Sequence, residues 1–149
     1  MSLISPADQQ KLREAFAEMM RRVRLLFFTQ TLDCETCLQT RQILDELPQL
    51  DERIAIEEVN FVLEPDKAKQ YAIDRVPAVA VVGEDDEKLG SWRDSRIRFL
   101  GTPAGYEFVS LVHAVLIVGG GPSSLTEGSR ARLAALKRSV TMQVFTTPT

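Results

Sequence analysis

The amino-acid sequence predicts an α/β domain, a four-stranded mixed sheet flanked by helices with one extra helix ahead of it. Three observations carry that expectation. An apolar run, Val23 to Gln30, is followed by a helix-forming stretch, Leu38 to Leu47, and a second strand-like run, Arg53 to Phe61; this is a strand–helix–strand crossover. A continuous apolar strand, Ala78 to Val82, and a fourth strand at about Arg96 to Leu100 then form a hairpin. Apolar stripes at helical spacing stand at both ends of this block, so helices cover the sheet.

Composition sets the outer limits. At 149 residues the chain is about one ordinary domain, and 44% hydrophobic with 26% charged residues is typical of a soluble globular protein. The net charge of −3 leaves no basic footprint, so nucleic acid is not an expected partner. Polar and acidic residues appear by Asp8, so the start does not read as a secretory signal. No segment offers the roughly eighteen uninterrupted apolar residues of a membrane span, and the expected location is cytoplasmic.

The elements follow in order. Ser5 caps a helix with Pro6 at its first position and Asp8 in its first turn. Leu12, Ala15, Phe16, Met19 and Met20 give that helix its core-facing stripe, and Arg21, Arg22 and Arg24 read as its solvated end. Val23 to Gln30 is a buried strand. After the second strand, Glu64-Pro65-Asp66 opens a short helix reaching Tyr71, and Ile73 to Pro77 leads into the third strand. Gly83 to Lys88 is a polar turn whose acids lack the alternating spacing of a calcium loop. The fourth strand ends at Gly101, and Thr102 to Gly105 opens a helix with a stripe at Phe108, Leu111, Val112, Val115 and Leu116. His113 falls off the stripe and reads as a surface residue. Gly119-Gly120-Gly121 runs into Pro122-Ser123-Ser124 much as a dinucleotide fingerprint would. The third glycine is Ser124, however, no acid follows about twenty residues on, and too little chain remains, so a helix stop and linker is the better reading. Beyond it, Ser123 to Lys137 reads as a helix and Val140 to Thr149 as a strand.

The chemistry lies in Cys34-Glu35-Thr36-Cys37, between the first strand and its helix. Residues three apart on a helix share a face, so the two cysteines can close a small disulfide. Bare N–H groups at a helix start, with the dipole behind them, favour a thiolate on the first cysteine. Two other readings compete. A zinc site takes four ligands, and this chain offers two cysteines and one histidine. Buried structural thiols are the second. In a cytosolic chain, however, this spacing points to thiol–disulfide exchange. Asp33 and Glu35 beside the pair disfavour a developing thiolate, so Cys34 is expected to be a less acidic thiol than in strong oxidants.

Cys34-x-x-Cys37 before a helix, Val76-Pro77 before the third strand and Gly101 after the fourth together resemble the thioredoxin/glutaredoxin family, from about Val23 to Val118. The resemblance implies a thioredoxin-like sheet and a cis Pro77 against the cysteine pair. It also implies a Val76 backbone that pairs with a partner's extended chain; a trans proline that begins a strand is the alternative. The leader Met1 to Ser5 with its helix, Ile73 to Ala78, and Phe99 to Phe108 further resemble the N-terminal unit of the prokaryotic protein disulfide oxidoreductases, also called glutaredoxin-like proteins. That implies a thioredoxin-like domain over residues 1–120, with 121–149 as a linker helix and the first strand of a second unit. Cys34 and Cys37 are then catalytic, Val76 and Pro77 bind substrate, and no cofactor is needed. The implied partners are protein or small-molecule disulfides and dithiols, with a reductant such as a thioredoxin reductase or glutathione. Two alternatives stand beside this: an electron-relay domain of a peroxide-reducing flavoprotein system, and a non-catalytic binding module.

Overall fold

Residues 2–147 are described by a computed structural model. In chain order the elements are α1 (Pro6–Phe16), β1 (Val23–Thr29), α2 (Cys37–Leu44), β2 (Ile54–Asn60), α3 (Pro65–Gln70), β3 (Ala78–Glu84), β4 (Trp92–Leu100), α4 (Tyr106–Val118) and α5 (Glu127–Ala134).

The four strands form one sheet in the order β2-β1-β3-β4, with β1 and β2 parallel and the other two pairs antiparallel. β1 and β3 are the inner strands, which explains why their sequences are continuously apolar rather than alternating. Leu25 and Phe27 of β1, with Val79 and Val81 of β3, point into a core closed by Phe16, Leu44, Leu111 and Val115. Leu26 and Phe28, with Ala78, Ala80 and Val82, point to the opposite face, where Ala68 and Ile73 cover them.

The first helix starts as expected: the Ser5 hydroxyl accepts the Asp8 N–H. It stops at Phe16, short of the full stripe. Met19 still reaches the core, but Met20 is exposed, because the chain has already left the helix and its period no longer applies. Of the arginines that follow, Arg22 is exposed as expected, but Arg24 and Arg21 are engaged elsewhere. Arg24 lies within β1, its guanidinium 4.0 Å over the Trp92 ring and paired with Glu57 at 2.9 Å. Arg21 pairs with Asp86.

The hairpin is longer than its apolar residues suggested. Gly83 belongs to β3 rather than to a turn, and a Cβ there would lie 2.9 Å from Val118 Cγ1, so α4 packs directly on the strand. β4 begins at Trp92, with a register shift opposite Val81/Val82 and Arg96 at φ 65°. The Ser95 hydroxyl donates to Val81 O across this bulge. Polar residues at the bulge hid that half of the strand.

At the far end, Met20 and Arg21 N–H groups both donate to Gly119 O, which docks the end of α4 on the α1–β1 connection. A Cβ at Gly119 would sit 2.8 Å from Met19 Cε and 3.0 Å from Val115 O. The glycine run is thus a close-packed helix stop. After it the expectations fail in part. The helix is limited to α5, capped by Thr126 and with no buried residue. Residues 140–147 form no strand, because no sheet edge of the described residues pairs with them; Pro148 and Thr149 of the expected strand lie outside the described residues.

Candidate active site

Register places three connections at one end of the sheet. Phe28 pairs with Ala78 and Ala78 with Leu100. The segment leaving β1, the Val76–Pro77 segment entering β3 and the Gly101–Thr102 segment leaving β4 therefore emerge side by side. The site is built from these three.

Cys34 and Cys37 are joined in a disulfide, with an S–S distance of 1.95 Å and Cα atoms 5.5 Å apart. Their placement differs from the expected shared helical turn. α2 begins at Cys37, Thr36 is its N-cap, and Cys34 stands two residues ahead of the cap. Asp33, in the left-handed region at φ 56°, turns the chain into that position, its carbonyl accepting from Gln30 Nε2 at 3.4 Å. Thr36 itself stays in the right-handed helical region, at φ −102° and ψ 0°, so the departure from the helix lies ahead of the cap, at the Asp33 turn. Thr36 makes no side-chain capping bond. The first-turn amides of α2 thus keep their donor character beside the cysteine they adjoin.

The two sulfurs are unequal. Cys37 is buried, 6% exposed, under α2, whereas Cys34 is only half-buried. Leu32 and Leu38 on either side of the pair are exposed apolar residues, as is Tyr106 at the start of α4.

The Val76–Pro77 bond is cis. Val76 is half-buried and Pro77 is buried, and the Gly101 N–H donates to Pro77 O at 2.9 Å. The next residue, Thr102, brings its hydroxyl within 2.8 Å of Thr40 Oγ1, and Thr40 in turn donates to Thr36 O at 2.8 Å. A line of contacts therefore runs from the proline segment to Thr36, the second of the two residues between the cysteines. Sequence reasoning named Cys34, Cys37, Val76, Pro77 and Gly101 but missed Thr40 as a partner of Thr102. The signal was present: Thr40 lies three residues after Cys37, on the same helical face, and is fully buried.

His113 is exposed on α4. Among the described residues no group of three or more His, Cys, Asp or Glu side chains could hold a metal. No helix among them is long and apolar enough to cross a membrane.

No family model and no curated protein matches the chain. Solved structures do. The NTD_N/C domain of the alkylhydroperoxide reductase AhpF from Enterococcus faecalis matches at TM-score 0.79 and 29% identity, over 91% of this chain and 62% of that one. A mutant of AhpF from the same organism matches at 0.76 and 30%, over 89% and 61%. A protein disulfide oxidoreductase from Aeropyrum pernix matches at 0.72 and 24%, over 89% and 55%, a likeness of fold alone. The chain thus spans between 55% and 62% of the length of these three. Strand order, cis proline, disulfide and neighbours agree, and the chain carries the thioredoxin fold around a C-x-x-C disulfide, an arrangement that supports thiol–disulfide redox chemistry generally.

Proposed function

We propose that this chain is a protein-disulfide oxidoreductase in which Cys34 attacks and Cys37 resolves. The observation that carries the proposal is the unequal burial of the two sulfurs. In the reduced protein the Cys34 thiolate attacks a partner disulfide, forming a mixed disulfide and releasing one partner thiolate, which takes a proton. The Cys37 thiolate then attacks the Cys34 sulfur, releasing the second partner thiol and leaving Cys34–Cys37 oxidised. Two electrons pass to the partner. A thioredoxin reductase or glutathione is the class of reductant that would restore the dithiol. Run backwards, the same steps oxidise a dithiol partner.

In this proposal the Val76 backbone, ahead of the cis Pro77, pairs with the partner's extended chain. The exposed Leu32, Leu38 and Tyr106 add sequence-tolerant apolar contact. The couple uses no organic cofactor. The working domain is taken as residues 1–120, which carry the four-stranded sheet and α1 to α4, and 121–149 are read as a linker helix leading toward a second unit. A reducing compartment such as the cytoplasm suits a couple that must be re-reduced.

Insulin reduction tests the proposal. The wild-type chain with dithiothreitol accelerates insulin precipitation, and Cys34→Ser returns the rate to that of dithiothreitol alone. Equal rates for wild type and variant would remove the enzyme assignment. The likeness to AhpF favours a second reading, an electron-relay domain. An inert insulin assay combined with Cys34-dependent reduction of a small aromatic disulfide would point there.

A further inference from the structure

We infer that Thr40 is a positioning residue for the dithiol, holding the Cys34–Cys37 segment against the proline segment through the Thr102 hydroxyl. The inference rests on the redox reading of the site. Thr40 is completely buried on α2 although its neighbours Leu38 and Gln39 are exposed. Its one hydroxyl proton goes to Thr36 O, at 2.8 Å, so the 2.8 Å contact with Thr102 is a bond donated by Thr102. Thr36 O also receives the Thr40 N–H at 2.9 Å. The Thr36 carbonyl, just ahead of Cys37, is thereby gripped twice from below. Thr102 follows Gly101, whose N–H holds Pro77 O.

The consequence is redox-specific. In the oxidised protein the covalent bond itself fixes the distance between the sulfurs. In the reduced protein only non-covalent contacts do so, and these set the effective concentration of one thiol at the other. Loosening them favours the dithiol. The relevant balance is the disulfide plus two glutathione thiols giving the protein dithiol plus glutathione disulfide, two electrons and two protons passing to the protein. Wild type therefore holds its disulfide more firmly than a protein lacking the hydroxyl line.

The test is the equilibrium of the full chain with defined ratios of reduced to oxidised glutathione, read by alkylation and mass. Thr40→Val keeps the shape and removes the hydroxyl, and is expected to shift the equilibrium toward dithiol by about threefold to tenfold, the size of one neutral hydrogen bond. Thr40→Ser restores the wild-type value. Thr102→Val shifts the same way, and decides the matter should Thr40→Val fail to fold. Ser95→Ala removes a comparable bond to Val81 O outside the site and leaves the equilibrium unmoved while lowering stability. An unchanged constant in Thr40→Val, or in Thr102→Val where that variant decides, overturns the inference, as does a Thr40→Ser value equal to that of Thr40→Val. A wild-type disulfide that never equilibrates with glutathione instead sinks the redox reading beneath it.

Discussion

Phe27 and Phe28 in β1 are 1% and 0% exposed, whereas Val144 and Phe145 near the other end of the chain are 76% and 89% exposed. Both segments are short and rich in strand-favouring residues. The difference is partners: β1 has a strand on each side and helices over both faces, whereas residues 140–146 are exposed and pair with no strand among the described residues. Strand propensity measures fitness for a half-buried pleated surface, and it becomes a strand only where that surface exists.

The sharpest way to break this contrast is a matched pair of truncations. Phe28→Ala should destabilise the fold by about 3–5 kcal/mol, because it opens a cavity between the sheet and the layer of Ala68 and Ile73 over it. Phe145→Ala should change stability by less than about 0.5 kcal/mol. Chemical denaturation measures both, and a sizeable loss at Phe145 would mean that the tail is part of the folded unit.

Glycines give a smaller version of the same test. Gly119→Ala forces a methyl against Met19 and the Val115 carbonyl, with an expected loss of about 1–3 kcal/mol. Gly128→Ala, in α5, meets nothing within 4 Å and should raise local helix content, by at most about 1 kcal/mol of propensity, without moving the main unfolding transition.

The smallest effect is electrostatic and also belongs to the folded block. The Arg53 guanidinium, 2.7 Å from Asp51, holds the Asp51 carboxyl below its ordinary value, and Arg98 does the same for Asp94. A carboxyl depressed in the folded state binds fewer protons there than when unfolded. Its stabilisation is therefore present above the ordinary carboxylate value and lost as pH falls below that value and through the lower folded-state one. Asp51→Asn should flatten the acid limb of a Tm-against-pH profile, and a limb as steep as wild type would contradict this pairing.

The same logic explains what was legible in the sequence. Leu25 to Phe28 and Ala78 to Val82 declared inner strands because burial on both faces leaves a continuous apolar signature. The Cys34–Cys37 pair was legible through residue type and spacing, and the cis Pro77 only through the family resemblance. Trp92 to Ser95 was not, since a bulge breaks alternation and a serine there spends its hydroxyl on Val81. Nor was the position of Cys34 ahead of the cap, because spacing alone does not say where a helix begins. The Thr40–Thr102 contact joins residues 62 apart in sequence, and only the closing of β4 onto β3 brings them together.

The central claim is that Cys34 is the sulfur a partner meets first. Limiting iodoacetamide added to the reduced chain at neutral pH, followed by peptide mapping, measures this directly. Label should appear on Cys34 well before Cys37. Label on Cys37 first, or on neither until the protein is unfolded, would contradict the account.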